Sequence, residues 1–242
     1  MSKIAIVAAL EREVRPLVRG WSVREQEHGG RRFRFFEKED VVLVCGGIGA
    51  EAARRAAEAT IELYSPAVIY SAGFAGALDS KLKVGDILLP RRLVNASDGS
   101  SFEMEIGGGV LVSFGAVAGK AQKERLRESF SAQAVDMEAA AVARAAQLRE
   151  VRFGVVKVIS DEFDFEFPET ERFVDASGKF SEARFALFTA VRPWLWARVA
   201  RLALNSGRAS RALSEWLEKN RDRMAGAVDV STTPPLEAVN RP

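Results

Sequence analysis

Three acidic residues stand out by their settings. Glu138 lies in Val135-Asp136-Met137-Glu138-Ala139-Ala140-Ala141, Asp161 closes Val158-Ile159-Ser160-Asp161, and Glu13 follows Ala8-Ala9-Leu10-Glu11-Arg12. Together they could break an N-glycosidic bond. That reaction needs a sugar held while positive charge develops on it. It also needs a proton for the leaving base, and water or phosphate set against the anomeric carbon; no metal is required. A carboxylate at Glu138 can accept from two neighbouring sugar hydroxyls and stabilise an oxocarbenium-like transition state, while Met137 offers the sugar a soft apolar surface. Asp161, oriented by Ser160, can give a proton to a purine ring nitrogen if burial keeps it protonated, or accept from an exocyclic amine. Glu13 can activate water.

Each residue also has a plainer explanation. Asp136 and Glu138 could simply cap a helix N-terminus, where acids are favoured. The intervening Met137 and the alanine helix behind it favour a ligand, because small residues let a helix pack close to a sheet. Ser160-Asp161 could cap the next turn. Glu11 and Arg12 read as solvated charges of a surface helix, and Glu13 stands open between the two roles. Gly46-Gly47-Ile48-Gly49 and Gly73-Phe74-Ala75-Gly76 allow close backbone approach or are tight turns; neither is a Walker loop or a clean dinucleotide fingerprint.

The elements that must position these residues follow from apolar patterning. Strands are expected at 3–9, 40–45, 67–71, 110–115 and 151–159, with one more after Leu82-Lys83-Val84-Gly85-Asp86. A hairpin is expected over 22–27 and 31–37, and helices after Leu10, over roughly 50–64 and over 136–147. Buried strands alternating with helices predict an α/β fold in three layers, a mixed central sheet with helices on both faces. Such sheets bind ligands at the carboxyl ends of their strands, and Glu13, Gly73, Glu138 and Asp161 all fall at strand ends. Residues 1–223 are read as one domain, with 182–223 a helical extension that Pro193-Trp194-Leu195-Trp196 interrupts. A basic helix with Arg198, Arg201, Arg208 and Arg211 follows, and residues 224–242 are expected to be a disordered tail.

Composition narrows the function class. The 242 residues suffice for a sizeable core, and a net charge of +2 gives no argument for nucleic acid. The single Cys45, in Val41-Val42-Leu43-Val44-Cys45, excludes an internal disulfide, fits a reducing cytoplasm and reads as a buried small residue. The single His28 sits in a turn, so neither a histidine triad nor a zinc site is expected. Ile4 to Leu10 is too short to span a membrane. Trp194 and Trp196 are expected to pack the C-terminal helices onto the core; a role at a membrane interface is the competing reading.

Five motifs in order resemble the nucleoside phosphorylase and nucleosidase superfamily, and within it the methylthioadenosine/S-adenosylhomocysteine nucleosidases. They are Ile4 to Val14, Gly47-Ile48-Gly49-Ala50, Gly73 to Leu78 with Leu82 to Asp86, Val135 to Glu138, and Ile159 to Asp161. The resemblance implies a phosphorylase-like fold, no cofactor, a purine nucleoside as ligand, and a homodimer or higher oligomer. By it, Glu138 would bind the ribose hydroxyls, Met137 would line the sugar, Asp161 would protonate the base and Glu13 would help activate water. Asp136, Ser160, Gly73, Phe74, Ala75 and Val117 would complete the substrate site.

The chain also departs from that pattern. Phe74 stands where the family usually has a serine or threonine, and the stretch between Pro90 and Gly115 looks short. No aromatic near Val117 and Ala118 matches the one that stacks on adenine. Beyond Asp161 the chain follows its own path. Phosphorolysis would need a dianion site, yet no arginine falls at the expected strand ends, Arg12 is read as solvent-facing, and Phe74 removes a hydroxyl. Hydrolysis of an adenine-type nucleoside is the expectation; a phosphorylase and a non-catalytic nucleoside-binding protein are the alternatives.

Overall fold

In the computed structural model, residues 3–165 and 193–226 are described. The order is β1 (Ile4–Ala8), α1 (Glu11–Val18), β2 (Ser22–His28), β3 (Arg31–Lys38), β4 (Val41–Cys45), α2 (Ala50–Tyr64) and β5 (Val68–Ala77). Then come β6 (Ile87–Leu88), β7 (Arg92–Asn95), β8 (Ser101–Glu103), β9 (Val110–Ser113), α3 (Lys120–Phe130) and β10 (Ala134–Asp136). The chain continues with α4 (Ala139–Gln147), β11 (Arg152–Asp161), α5 (Pro193–Lys219) and α6 (Arg221–Gly226).

The strands form one mixed sheet in the order β2-β3-β4-β1-β5-β10-β9-β7-β8, with β11 paired to β5 and β6. β1 runs parallel to β4 and β5, and β11 runs parallel to β5. β5 is the hub. Its first residues pair with β1, and Gly76 and Ala77 pair antiparallel with β10. β11 follows it from Arg152 to Asp161, with a register shift between Ile159 and Asp161.

Alternation along β1 and β4 builds two cores, since successive side chains point to opposite faces. Ile4, Ile6, Val41 and Leu43 pack with Val14 and Leu17 of α1 and with Leu213 and Leu217 of α5. Ala5, Val7, Val42 and Val44 pack with the alanines of α2 and with Val142, Ala145 and Ala146 of α4. Full burial of a leucine such as Leu213 stabilises the fold by roughly 2 kcal/mol. The expected mixed sheet with helices on both faces and a C-terminal helix is therefore present.

Several boundaries differ from expectation. β5 runs on through Gly73-Phe74-Ala75-Gly76 to Ala77, because β11 and β10 hydrogen-bond to its second half, so the glycine segment is strand and not loop. The motif at 134–138 starts as strand β10, and its helix begins only at Ala139. α3 had no counterpart among the expected elements. α5 is described from Pro193 onward and is continuous from there to Lys219. The expected start of that helical stretch at 182–192 lies outside the described residues.

The chain also stays helical past 224: Met224 is buried and its carbonyl accepts from Tyr70 Oη. The rest of the tail expected over 224–242, residues 227–242, lies outside the described residues. Trp196 is 56% exposed, against the expected packing onto the core, and nothing is described of the Trp194 side chain. Cys45 is only half-buried, at the edge of the first core. His28 reaches Glu62 Oε2 at 2.9 Å. No helix among the described residues is long and apolar enough to cross a membrane, and no cluster of potential metal ligands occurs among them.

Candidate active site

The carboxyl ends of β1, β5, β10 and β11 surround a cavity of about 440 Å3. Glu13, Phe74, Ala75, Val117, Asp136, Met137, Glu138, Ser160 and Asp161 all line it. Of the expected site residues only Gly73 is absent from the wall; it lies beneath one of the wall's carboxylates. A β-carbon on Gly73 would come to 2.6 Å from Glu13 Oε2, and one on Gly76 to 2.8 Å from Asp161 Oδ2. The two glycines are therefore needed for close approach, each flooring one carboxylate.

Glu13 sits in the first turn of α1, one turn beyond the strand end, and is only 5% exposed. Backbone amides of Ala9 and Phe74 donate towards its carboxylate, yet Oε2 is buried with no hydrogen-bond partner. Burial raises its pKa to about 6, against the opposing pull of the Lys157 and Arg12 charges.

The two acids of the 136–138 motif do different work. Asp136 is the cap: its Oδ2 accepts from the Ala139 amide at 2.8 Å, and its Oδ1 takes the Ser113 hydroxyl at 2.5 Å. Glu138 turns away from its own helix and accepts the Gly49 amide at 2.8 Å. That bond ties the turn after β4 to the start of α4. Burial raises Glu138 to about 7, with repulsion from Asp136 adding to the effect and Lys157 and the Gly49 amide opposing it. The capping explanation thus holds for Asp136 and fails for Glu138.

Asp161 is not an isolated buried acid. Ser160 Oγ donates to Oδ1 at 2.8 Å, as its expected orienting role requires. Oδ2 meets the Lys123 ammonium at 2.6 Å, and that same ammonium donates to the Glu162 carbonyl at 2.8 Å. This pairing takes the place of the expected turn cap.

Two lysines in this region were missed from sequence. Lys157 is 2% exposed and its Nζ lies 2.8 Å from Asp136 Oδ2. Burial opposes its charge, but Asp136, Glu138 and Glu13 outweigh that and hold it above the ordinary lysine range. The signal was available in Val155-Val156-Lys157-Val158: a lysine inside a central strand has no water and must face a counter-charge. Lys123 was hidden because α3 lacks an apolar stripe; its buried residues are Lys123 and Leu126, so a lysine occupies a core position of the helical pattern.

Other features complete the cavity. Arg12 is exposed as expected, but it stands on the cavity rim. Leu202 and Ser206 of α5 close one side beside Phe74. Val117 is half-buried in the wall, flanked in sequence by Ala116 and Ala118. The arrangement offers one unpartnered carboxylate oxygen, a second carboxylate fixed by a backbone amide, and a hydrogen-bonded Ser-Asp-Lys group.

Comparisons with known proteins agree with this architecture. The chain is 28% identical over 161 residues to a Staphylococcus carnosus 5'-methylthioadenosine/S-adenosylhomocysteine nucleosidase, covering 52% of this chain and 71% of that protein. It is also 28% identical over 196 residues to the Staphylococcus epidermidis protein of the same name, covering 65% and 86%. Among solved structures, a mutant Helicobacter pylori nucleosidase with 5'-methylthioadenosine in its active site aligns with a TM-score of 0.69 at 21% identity, over 92% of this chain and 99% of the other. A futalosine hydrolase from Helicobacter pylori aligns with a TM-score of 0.66 at 21% identity, over 92% and 98%. The family description that matches residues 3–112 and 104–191 is "Phosphorylase superfamily". On that match, and on the mixed sheet whose strand ends hold the cavity, the chain belongs to the phosphorylase superfamily.

Proposed function

We propose that this chain is a purine nucleosidase: it hydrolyses the N-glycosidic bond of an adenine-type nucleoside such as 5'-methylthioadenosine or S-adenosylhomocysteine. The observation that carries the reading is Glu13 Oε2, buried and without a hydrogen-bond partner in the wall of the cavity that also holds Glu138 and Asp161. A carboxylate oxygen in that state suits a water molecule and accepts its proton as it attacks.

In this mechanism Glu138 accepts from the ribose hydroxyls, and its charge stabilises the developing oxocarbenium ion. Met137 packs on the sugar. Asp161, held by Ser160, addresses the purine edge and supplies a proton as the bond to the anomeric carbon breaks. Lys157 pairs with Asp136 and holds it in place, so the helix cap and the ribose carboxylate stay in register. Phe74, Leu202 and Ser206 form the wall available to the 5' substituent.

Water is favoured over phosphate on charge. The buried cations of the site, Lys123 and Lys157, are each paired with an aspartate. A phosphate dianion would enter beside Glu13 and Glu138, where like charges repel. By the resemblance already described, the enzyme is also proposed to work as a homodimer or higher oligomer, which light scattering on the purified chain tests.

The functional test is release of free base from methylthioadenosine, S-adenosylhomocysteine, adenosine and inosine, with and without phosphate. Adenine release without phosphate is expected. Release only with phosphate overturns the role of Glu13, and no release from any of the four removes the assignment.

A further inference from the structure

Lys123 has no place in the reaction as described so far, yet it is the most completely buried charged residue of the described chain, at 1% exposure. It projects from α3, whose residues are mostly solvent-facing; the other buried residue of that helix, Leu126, joins an apolar cluster with Leu78, Val112, Ala118 and Val135. Stability alone gives little reason for a lysine there. Replacing a buried ion pair with apolar residues of similar volume is often neutral or stabilising.

The geometry around it is tightly specified. Nζ lies 2.6 Å from Asp161 Oδ2 and 2.8 Å from the Glu162 carbonyl. A β-carbon on Gly76 would touch both partners, at 2.8 Å from Asp161 Oδ2 and 3.4 Å from Lys123 Cε. Lys123 and Asp161 both line the cavity, and the free oxygen positions of Asp161 are limited by the Ser160 hydroxyl on Oδ1. With its two oxygens taking a hydroxyl and an ammonium, Asp161 supplies a proton to the purine by drawing on the lysine. The acidic protons at this edge are those of the lysine.

We propose that Lys123 is the positioning residue of the base-side acid: it fixes Asp161 against the purine and is the source of the proton that the pair delivers to N7. This rests on the nucleosidase reading. As the bond between the anomeric carbon and N9 breaks, its electron pair stays on the purine and N7 takes one proton from the Lys123–Asp161 pair. The pair is left as neutral amine and carboxylate. Water adds to the anomeric carbon and gives its proton to Glu13. After the products leave, solvent exchange moves one proton from Glu13 to the pair, and both groups are reset.

The test compares two leaving groups. A purine nucleoside needs its base protonated; 4-nitrophenyl riboside releases a stable phenolate and does not. Lys123→Arg keeps a cation on Asp161 but one that does not give up its proton, and Lys123→Met removes the charge. Both variants are expected to lower kcat on the purine nucleoside by roughly a hundredfold while leaving nitrophenyl riboside turnover within about threefold of wild type. An equal fall on both substrates, or no fall on the purine, overturns the proposal.

A second readout does not depend on turnover. Wild type is expected to bind adenine over 7-deazaadenine, which lacks the N7 acceptor, by roughly tenfold, and Lys123→Met to lose that preference. The same preference in both proteins, or none in wild type, overturns the role of Lys123. If Lys123→Met does not fold, Lys123→Gln, which hydrogen-bonds without charge, takes its place. Failure of wild type to cleave any nucleoside would instead strike the nucleosidase reading, and the binding comparison would still decide on Lys123.

Discussion

Gly73 passes directly beneath Glu13, so that a β-carbon there would lie 2.6 Å from Oε2 and 3.9 Å from Lys157 Nζ. Alanine at 73 must therefore push the carboxylate aside, and the glycine φ of 154° adds backbone cost. Displacing a catalytic group by about 1 Å costs on the order of a hundredfold in rate. Gly73→Ala is expected to lose kcat by about that factor, with KM changed much less and the circular dichroism spectrum retained. Steady-state kinetics check this; unchanged kcat would mean that Glu13 takes no part in attack.

Opposite pH responses are expected for activity and for stability. Glu13 and Glu138 are raised to about 6 and about 7, and both act as carboxylates in the proposed mechanism. kcat/KM should therefore rise with pH across that window, and a bell-shaped profile would report macroscopic values of the cluster, not of single residues. For stability the sign reverses. A raised carboxyl favours folding fully below its ordinary value of 4.5, and that contribution is lost as pH climbs through about 6 and about 7. Glu13→Gln removes the penalty of an ionised buried carboxylate, which for a rise from 4.5 to about 6 is roughly 2 kcal/mol. Urea denaturation at about pH 5 and about pH 8 should show the variant gaining on wild type only at the higher pH.

Removing Lys157 should be costly to the fold. Its ammonium is the buried partner of Asp136 at 2.8 Å and faces Glu13 and Glu138 as well. Lys157→Met leaves an uncompensated buried charge, an effect worth about 3–5 kcal/mol. It should also move the acid limb of the pH profile upward, since the cation that opposes protonation of both glutamates is gone. A denaturation midpoint equal to that of wild type would remove Lys157 from its central place in the cluster.

Asp161→Asn and Glu138→Gln preserve shape and remove charge. Asp161→Asn is expected to lower kcat on adenine nucleosides by about 10²–10⁴-fold. Glu138→Gln should lower kcat by on the order of 10²–10³-fold, as loss of transition-state electrostatics does. Near-normal turnover of Asp161→Asn would sink the assignment of the base-side proton.

The parts of the site that sequence revealed are those whose local pattern carries the information. Glu138 and Asp161 each adjoin an apolar run, and both line the cavity. The strands were visible because β1 and β4 are continuous apolar runs, as buried strands must be, and β11 holds such a run broken by Lys157. What stayed hidden depends on partners distant in the chain. Lys123 meets Asp161 across 38 positions, and Gly49 meets Glu138 across 89. No periodicity encodes such pairings. α3 escaped notice because its inward face spends a core position on a lysine. β5 seemed to end early because its glycines broke the apolar run, although their role is to make room for carboxylates.

β5 carries both carboxylate floors on one extended segment, Gly73 at one end and Gly76 three residues on. At about 3.3 Å per residue, an extended strand separates them by roughly 10 Å. Because β11 pairs with β5 from Val68 to Gly76, and β1 and β10 flank the two ends of β5 on its other side, that interval is held by the sheet. The strand therefore acts as a gauge block. It fixes the places from which Glu13 and Asp161 reach into the cavity, whatever lines the opposite side.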